Sequence, residues 1–350
     1  MKRLFNEILH QLNHGQDCML VSIVGGQGST PRSSGARMLV NAQGRVYGTI
    51  GGGAVEFRGE QQAQELLKEK RSLLYEFRLN KSDTDGLNMV CGGNVTVLFR
   101  YINAAEPLWS RLCQEVLAGQ PGGGRLWLLD RLDELSRPPL LLLLPAAGES
   151  AWPRELPPAL AARLGGELPL RLDLGREGSY YAEPLPQSQR VLIFGGGHIA
   201  RELAPVLAHL DFRVTVFEDR PEYADPATLP GVEAAIVGDY ANIEERLHID
   251  PEDFVIIMTW GHACDYTVQR QVMALPHAYL GVIGSRGKTA TLNRMLLEDG
   301  FTQEQLKAVH TPIGLAIQAQ TPAEIAISIA AELIQVRAER RGVGPSSCPV

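Results

Sequence analysis

A glycine-rich turn at residues 195–197 is the local pattern with the clearest chemistry. It follows the apolar run VLIF at 191–194 and is completed three residues later by Ala200, which gives the spacing G-x-G-x-x-A. In this spacing Gly195 permits a tight turn, Gly197 lets a phosphate approach the backbone, and Ala200 lets the next helix pack closely on a sheet. Because a helix N-terminus carries partial positive charge, the turn predicts a site for a phosphorylated ligand. The alternative is a turn that has lost its ligand, and the pattern alone does not require a nicotinamide dinucleotide.

An acidic pair, Glu218 and Asp219, comes about twenty residues after the turn, at the end of the apolar run 213–217. In dinucleotide-binding domains an acid at this position binds the hydroxyl groups of a ribose. Either of the two acids fits this role. Arg220, which follows them directly, is included in the predicted cofactor-binding site.

Two polar clusters follow later apolar runs, WGHACD at 260–265 and GSRGKT at 284–289. Ligands of open α/β sheets bind outside the carboxyl ends of the strands, so we expect both clusters at the same crevice as the glycine turn. The residues suited to bind a phosphate or another oxyanion are Ser285, Arg286 and Lys288. The residues that could bind a metal or relay a proton are His198, His262 and Asp265. The alternative for the two histidines is that they only orient loop backbone.

Two loops of small residues in the N-terminal part carry many backbone N–H donors. The first, GGQGSTPRSSG at 25–35, ends an apolar run, and the second, GGG at 51–53, precedes a helix. Such loops can hold an anion or a planar ligand, and a flexible connection is the alternative. The predicted ligand-binding residues of both loops and of the helix are Thr30, Arg32, Gly35, Gly51, Gly52, Gly53 and Glu56.

Cys91 is the cysteine whose surroundings suit chemistry best. Two glycines follow it directly, so its thiol is sterically open, which fits a nucleophile, a sulfur carrier or a metal thiolate. An incidental loop cysteine is the alternative. The five cysteines lie without C-x-x-C pairs, which disfavours a zinc site and a disulfide framework.

The order of apolar runs predicts the elements that must position these residues. Residues 1–103 are predicted to form an α+β domain, and the proline- and leucine-rich residues 104–189 a variable middle section or linker. From residue 190 to 350 strands and helices alternate, which predicts a Rossmann-like parallel sheet with helices on both faces. The fold class is therefore α/β, with an α+β domain at the N-terminus.

Helices are expected in the C-terminal part at 198–209, 240–247, 264–274 and 287–299. The last helix is expected to begin at Thr321, with Glu324 three residues later completing a capping box. Its predicted core-facing stripe consists of Ile325, Ala326, Ile329, Ala330, Leu333 and Ile334.

Composition and charge exclude several classes of protein. The 350 residues include 33 Lys and Arg against 40 Asp and Glu, a net charge of −7, which gives no electrostatic case for nucleic acid or an anionic membrane. The longest apolar stretch falls far short of the ~20 residues of a membrane helix. The polar residues of the first seventeen positions argue against a secretion signal. We therefore expect a soluble, cytoplasmic protein with reduced thiols.

Taken together, these motifs resemble the xanthine dehydrogenase accessory factor family, XdhC/CoxI, which serves molybdenum hydroxylases. The stretches that carry the resemblance are 25–40, 48–56, 91–97, 191–204, 214–224, 261–268, 279–288 and 311–332. They cover both ends of the chain, in the order found in the family, and leave 104–189 unmatched. One departure is Phe217 before the two acids, where the family has an aliphatic residue; which acid would meet a ribose therefore stays open.

The resemblance implies a protein that binds molybdenum cofactor and supports exchange of an oxo ligand on molybdenum for a sulfido ligand. The sulfur would come from a partner cysteine desulfurase, and the mature cofactor would pass to the apo-form of a molybdenum hydroxylase. Carried over to this chain, Cys91 would contact molybdenum or handle sulfur, and the loops at 28–35 and 51–56 would form the other half of the cofactor cleft. The pterin phosphate or nucleotide would bind the turn at 195–197, within one chain or across a homodimer.

An NAD(P)-dependent oxidoreductase with His198 or His262 as its acid–base residue is the competing interpretation. We favour a maturation factor without independent turnover, because hydride transfer gives no role to the N-terminal loops or to Cys91.

Overall fold

The chain divides into two compact units, Met1–Gln187 and Ser188–Val350. The computed structural model describes residues 2–28, 35–78, 93–118, 125–144, 156–164, 168–185 and 189–342. Within these ranges, no helix combines the length and the apolar character needed to span a bilayer.

The first unit begins with a five-stranded antiparallel sheet in the order β3-β2-β1-β5-β4. Its strands are β1 Cys18–Gly28, β2 Arg37–Asn41, β3 Gly44–Thr49, β4 Leu73–Arg78 and β5 Gly93–Ile102. Helix α1 spans Lys2–Asn13 and helix α2 spans Gly53–Glu69. These helices and strands give the N-terminal part the α+β architecture that was predicted.

Strand β1 is buried on both faces because apolar residues occupy successive positions along it. Met19 and Val21 pack in one core, which includes residues of α2. Cys18 and Leu20 point the other way, into a core that contains Ile8 of α1. The period of two along a strand thus divides one apolar run between two hydrophobic cores.

The middle section folds as part of this first unit. It contributes a four-stranded antiparallel sheet in the order β7-β6-β9-β8. Its elements are α3 Pro107–Ala118, β6 Arg125–Arg131, β7 Leu140–Leu144, α4 Pro158–Ala161, β8 Leu170–Asp173 and β9 Ser179–Leu185. Trp109, Leu128 and Leu185 pack in the same core as Ile8 of α1.

Two buried ion pairs connect the two sheets of the first unit. Arg37 of β2 pairs with Glu183 of β9, and Arg100 of β5 pairs with Asp130 of β6. All four side chains are almost fully buried. Since an unpaired buried charge is very costly, these pairs favour one relative placement of the sheets, which a linker between domains would not need.

The second unit is a parallel five-stranded sheet in the order β12-β11-β10-β13-β14. The strands are β10 Arg190–Phe194, β11 Arg213–Glu218, β12 Val232–Val237, β13 Phe254–Ile257 and β14 Tyr279–Val282. The helices are α5 His198–His209, α6 His262–Met273, α7 Arg286–Glu298, α8 Gln303–Lys307 and α9 Pro322–Arg340.

Helices cover both faces of this sheet, as predicted. Apolar residues of α5 and α9 pack against one face, and those of α6 and α7 against the other. The strand order reverses between β10 and β13, so the crevice where such folds bind ligands lies at the carboxyl ends of these two strands. The predicted fold class is confirmed.

One predicted helix is wrong. Residues 240–247 form only a single 3₁₀ turn at Ile243–Glu245. The side chain of Gln271, from α6, donates to the carbonyl of Tyr240 at 2.7 Å and accepts from the N–H of Ile243 at 3.2 Å. These bonds satisfy backbone groups that an α-helix would otherwise satisfy internally.

The last helix begins as predicted. Thr321 accepts from the N–H of Glu324, and the Glu324 side chain accepts from the N–H of Thr321 at 2.9 Å, which completes the capping box. Most of the predicted stripe is buried, but Ile334, beside the buried Leu333, remains 40% exposed. Its predicted place in the core is therefore wrong.

Candidate functional site

The first glycine of the turn is required by its backbone conformation and by the neighbouring strand. Gly195 has φ +114°, and a Cβ there would overlap the carbonyl oxygen of Met258, directly after β13. Its N–H donates to the carbonyl of Phe217 in β11 at 2.9 Å. The turn is therefore fitted between the two strands that flank β10.

The second and third glycines differ sharply in their surroundings. A Cβ on Gly196 would overlap the backbone carbonyl of Tyr223, whereas a Cβ on Gly197 would meet no atom within 4 Å. Gly197 has an extended backbone conformation and directly precedes α5. Open space at Gly197 agrees with the expected approach of a phosphate. The steric role of Gly196 was not predicted, because it depends on a carbonyl that is distant in sequence.

Glu218 binds the turn rather than standing free for a ligand. Its carboxylate is fully buried and accepts from the N–H of Gly196 at 2.8 Å and from Nε of Arg220 at 2.9 Å. Burial raises the pKa of Glu218, but the hydrogen bonds from Arg220 and from the Gly196 N–H, together with the positive charge of Arg220, hold this pKa below its usual value. Glu218 thus positions the glycine turn.

Asp219 is the more accessible of the two acids. The indole Nε1 of Trp260 donates to both of its oxygens at 3.2 Å, and about a quarter of its side chain is exposed. Burial, followed by the contact with Glu218, raises the pKa of Asp219. Of the two acids left open by the sequence, Asp219 is therefore the one in a position to meet a ligand.

Lys288 and Asp265 neutralise each other. The ammonium group of Lys288 pairs with the fully buried Asp265 and also donates to the carbonyl of Ile283 at 3.1 Å. Asp265 accepts from the N–H and the hydroxyl of Thr259 at 3.0 and 2.6 Å. The ion pair thus joins the loops after β13 and β14. Because its charge is neutralised by Asp265, Lys288 is less suited to bind an oxyanion than the sequence suggested.

The other predicted residues of these loops lie at helix starts. Ser285 accepts from the N–H of Lys288 at 3.3 Å and caps α7. His198, His262 and Arg286 are the exposed first residues of α5, α6 and α7. In the part of the chain that is described, Arg286 has no hydrogen-bond or ion-pair partner, so its guanidinium is open to an anion.

A cavity of about 490 Å³ lies between the start of α6 and the first three turns of α7. It is lined by His262, Ala263, Ser285, Gly287, Lys288, Thr291, Leu292 and Met295. This volume is within the range of small-molecule sites. Among the described residues, His, Cys, Asp and Glu side chains form no group of three or more that could hold a metal ion.

The glycine loop before α2 already holds a carboxylate. Glu56 accepts from the N–H groups of Ile50 and Gly52, each at 3.1 Å, and from the side chains of Thr49 and Arg45. Burial raises the pKa of Glu56, but the hydrogen bonds from Thr49 and Gly52 outweigh burial and lower this pKa. The anion at these N–H groups is therefore supplied by the chain itself.

The remaining predicted residues of the first unit are only partly described. Gly35 donates its N–H to the carbonyl of Ile23 at 2.9 Å, shortly before β2, and so continues the pairing of β2 with β1. Gly51 donates to Thr49, and Gly53 begins α2. Thr30, Arg32 and Cys91 lie outside the described residues.

Replacing Glu56 by glutamine should destabilise the first unit by about 2 kcal/mol at pH 7, because a charged acceptor of several hydrogen bonds is lost. The folded-state pKa lies below the ordinary 4.5. The stabilisation is therefore complete above that value and is lost as the pH falls through the lower, folded-state pKa. Urea unfolding as a function of pH measures both effects.

Glu65→Gln is the matched control, since Glu65 lies exposed on the same helix. We expect it to change stability by less than about 0.5 kcal/mol. Equal stability of the Glu56 variant and the wild type would contradict this role for Glu56.

Three of the other cysteines are poorly suited to thiolate chemistry. Cys18 and Cys113 are fully buried, and burial raises the pKa of each to about 12. Burial also raises the pKa of the half-buried Cys264. A high pKa keeps a thiol protonated and weakly nucleophilic, so none of these three replaces Cys91 as the candidate.

Comparison with known proteins identifies the family. Residues 191–333 match the XdhC Rossmann domain, and residues 11–78 match the XdhC and CoxI family. The two matches together cover more than half of the chain. The chain belongs to the XdhC and CoxI family.

Three curated relatives are similar over nearly all of the chain. A Bacillus subtilis protein, named as a probable subunit of xanthine dehydrogenase, is 25% identical over 93% of this chain and 95% of its own length. The molybdenum cofactor insertion chaperone PaoD of Escherichia coli is 24% identical over 93% of this chain and 85% of its own length. The uncharacterized protein YqeB of Escherichia coli is 26% identical over 92% of this chain, which spans only 44% of YqeB. These similarities support a role in molybdenum cofactor maturation.

A solved structure has the same fold. A crystal structure described as a xanthine dehydrogenase from Bacillus halodurans superposes with a TM-score of 0.74, covering 99% of this chain and 98% of that one. The sequences are 24% identical. At this identity the likeness establishes the fold alone.

Two side chains of the crevice were missed by the sequence analysis. Trp260 and Tyr223 were not chosen as site residues, although Trp260 opens the cluster after β13. The guanidinium of Arg220 lies over the Tyr223 ring at 4.0 Å and over the Trp260 ring at 5.6 Å. A large aromatic residue within a run of small and polar residues was the signal that could have indicated Trp260.

Proposed function

We propose that this chain is a molybdenum-cofactor-binding accessory protein that supports sulfuration of the cofactor and its insertion into a xanthine dehydrogenase- or aldehyde oxidase-type hydroxylase. The observation that carries the proposal is similarity over 93% of the chain to a relative named as a molybdenum cofactor insertion chaperone. The cofactor is cargo in this account. A maturation factor of this kind needs binding and release rather than turnover of its own.

The crevice of the second unit supports the part of the proposal that concerns phosphate binding. Helices α5, α6 and α7 begin after β10, β13 and β14, which are neighbours in the sheet, so their N-termini lie along one edge. Helix N-termini favour anions through free N–H groups and the helix dipole. The open space at Gly197 and the exposed Arg286 suit the terminal phosphate of a pterin cofactor.

Cys91 is proposed to contact molybdenum or to handle the sulfur that replaces an oxo ligand. A thiolate is a soft donor suited to metals with affinity for sulfur. A cysteine desulfurase is the proposed sulfur source, and the apo-hydroxylase is the proposed acceptor of the finished cofactor. The proposal also includes a homodimer acting in the cytoplasm. The idea that Cys91 and the turn at 195–197 share one cleft stays a prediction.

Cys91→Ser should lower the molybdenum retained per chain, and the activation of the apo-hydroxylase, by about tenfold or more, because the soft sulfur ligand is replaced by a hard hydroxyl. Molybdenum analysis after gel filtration and an activation assay measure these effects. Cys113→Ser, which makes the same replacement in a buried position, is the control and should leave both unchanged. Equal loading of the two variants would remove Cys91 from the site.

An NAD(P)-dependent oxidoreductase is the second candidate. The strand order and the glycine turn favour it, since both are shared with dinucleotide-binding folds. His198 and His262, exposed at helix starts beside the crevice, would be its acid–base residues. This interpretation leaves the first unit without a role.

A further inference from the structure

Trp260 differs from the other tryptophans that are described. It is 60% exposed, whereas Trp109 and Trp127 are 2% and 0% exposed. It stands three residues after the end of β13, in the loop that leads to α6. A single exposed apolar residue on a protein surface is ordinary, but Trp260 is exposed at the crevice where such folds bind ligands. Its position therefore indicates a role in binding.

The indole ring is held in place although it is exposed. Its Nε1 donates to both oxygens of Asp219 at 3.2 Å. The guanidinium of Arg220 lies 5.6 Å from the ring, and this guanidinium is itself fixed by Glu218 and by the ring of Tyr223. A ring fixed at its edge loses little conformational entropy when a ligand stacks on it.

Trp260 lies beside the glycine turn at the place where the strand order reverses. Strands β10 and β13 are paired, with Phe194 opposite Ile257. The N–H of Met258 donates to the carbonyl of Phe194 at 2.9 Å, directly before the turn. Trp260 and Gly197 are therefore each three residues past adjacent strand ends, where open α/β sheets bind their ligands.

Asp219 retains unused hydrogen-bonding capacity next to this ring. A carboxylate offers about four acceptor positions. A single indole N–H is shared between its two oxygens, and Arg220 lies 3.6 Å away. Glu218, in contrast, is fully buried and bonded to the turn and to Arg220.

We propose that Trp260 is the stacking surface for a planar nitrogen heterocycle whose attached phosphate lies at Gly197, and that Asp219 accepts hydrogen bonds from the same ligand. This assignment rests on the proposed function in one respect, because the stacked heterocycle is taken to be the pterin of molybdenum cofactor. Pterins carry amino and ring N–H donors, and nucleotides carry ribose hydroxyls, so Asp219 can serve either source. The adenine of a dinucleotide is the other source of the same chemistry.

The test uses the full chain with GMP, AMP and inorganic phosphate as probes, because guanine shares the aminopyrimidinone ring of pterins. Calorimetric titration should show GMP binding more tightly than inorganic phosphate. Trp260→Ala should weaken GMP binding about tenfold or more while leaving phosphate binding unchanged. Trp260→Phe should keep most of the affinity, since it keeps a ring face, and Asp219→Asn should lower the preference for GMP over phosphate.

Phe57→Ala is the matched control, because Phe57 is an aromatic residue of similar exposure, 63%, on α2 of the first unit. It should leave nucleotide binding unchanged. Equal nucleotide affinity of Trp260→Ala and the wild type, or nucleotide binding no tighter than that of phosphate, would overturn the inference. Tighter binding of AMP than of GMP would assign the ring to adenine and overturn the assignment to a pterin.

Loading with molybdenum cofactor separates this inference from the proposed function. If the wild type and Trp260→Ala retain equal amounts of cofactor, the stacking role fails and the proposed function stands. If GMP binding depends on Trp260 but the wild type retains no cofactor, the stacking surface stands and the proposed function fails.

Discussion

Replacing Gly196 by alanine should destabilise the second unit by about 3 kcal/mol or more, at the upper end of what overpacking costs. The added Cβ would overlap the backbone carbonyl of Tyr223, which cannot rotate away as a flexible side chain would. Moving either backbone segment would also disturb the hydrogen bond from the Gly196 N–H to the buried Glu218. Urea unfolding measures the loss, as a shift in the transition of the second unit.

Gly197 provides the control for this substitution. Gly197→Ala places its Cβ in open space with φ −72°, which alanine adopts readily, so stability should be unchanged or higher by up to about 1 kcal/mol. Gly197→Asp should also fold, but its negative charge at the helix N-terminus should abolish binding of a ligand phosphate. Wild-type stability of Gly196→Ala would contradict the packing of the turn against Tyr223.

Replacing Asp265 by asparagine should cost about 3 kcal/mol, because it leaves the partly buried ammonium group of Lys288 without its charged partner and weakens the hydrogen bonds from Thr259. Lys288→Met should cost a similar amount, since it leaves the fully buried carboxylate of Asp265 without its cation, although the hydrogen bonds from Thr259 remain. The double variant should be more stable than the sum of the two losses implies, because no unpaired charge is left. Denaturant unfolding of the four proteins gives this coupling energy.

The same variants test how the loops bind anions. Lys288→Met should change phosphate binding little, since Lys288 is paired with Asp265. Arg286→Ala should weaken phosphate binding, since Arg286 is exposed at the start of α7. Additive stability losses, or loss of phosphate binding in the Lys288 variant alone, would contradict this division of roles.

Local patterns were sufficient to predict most elements of the second unit. The apolar runs of β10 and β11, the turn between β10 and α5, and the capping box at Thr321 each specify structure through neighbouring residues, so sequence alone indicates them. The helix expected at 240–247 failed because a side chain from α6, distant in sequence, binds its backbone.

The sequence could not show which acidic residues bind backbone N–H groups and which remain accessible to a ligand. Glu56, Glu218 and Asp265 each have a residue type and position that suit a ligand site, but in the structure each accepts from backbone N–H groups of nearby loops. Which carboxylate meets a backbone donor depends on the tertiary approach of segments rather than on spacing. Asp219 remains partly exposed because the N–H of Gly196 meets its neighbour Glu218 instead.

The middle section could not be placed from sequence because its residues 104–189 show no clear period. Its apolar residues pack against the second face of β1, where Trp109 and Leu128 contact the same core as Cys18 and Leu20. This packing partner cannot be read from the middle section alone. The buried partners of Arg37 and Arg100 likewise come from strands that are distant in sequence.

The most direct test of the central claim is to incubate the purified chain with molybdenum cofactor and, separately, with NAD(P)H and candidate substrates. Molybdenum and nucleotide that remain bound after gel filtration are then measured, together with NAD(P)H oxidation. Our account predicts tight retention of molybdenum and no oxidation of NAD(P)H. Substrate-dependent oxidation of NAD(P)H without retained molybdenum would contradict it.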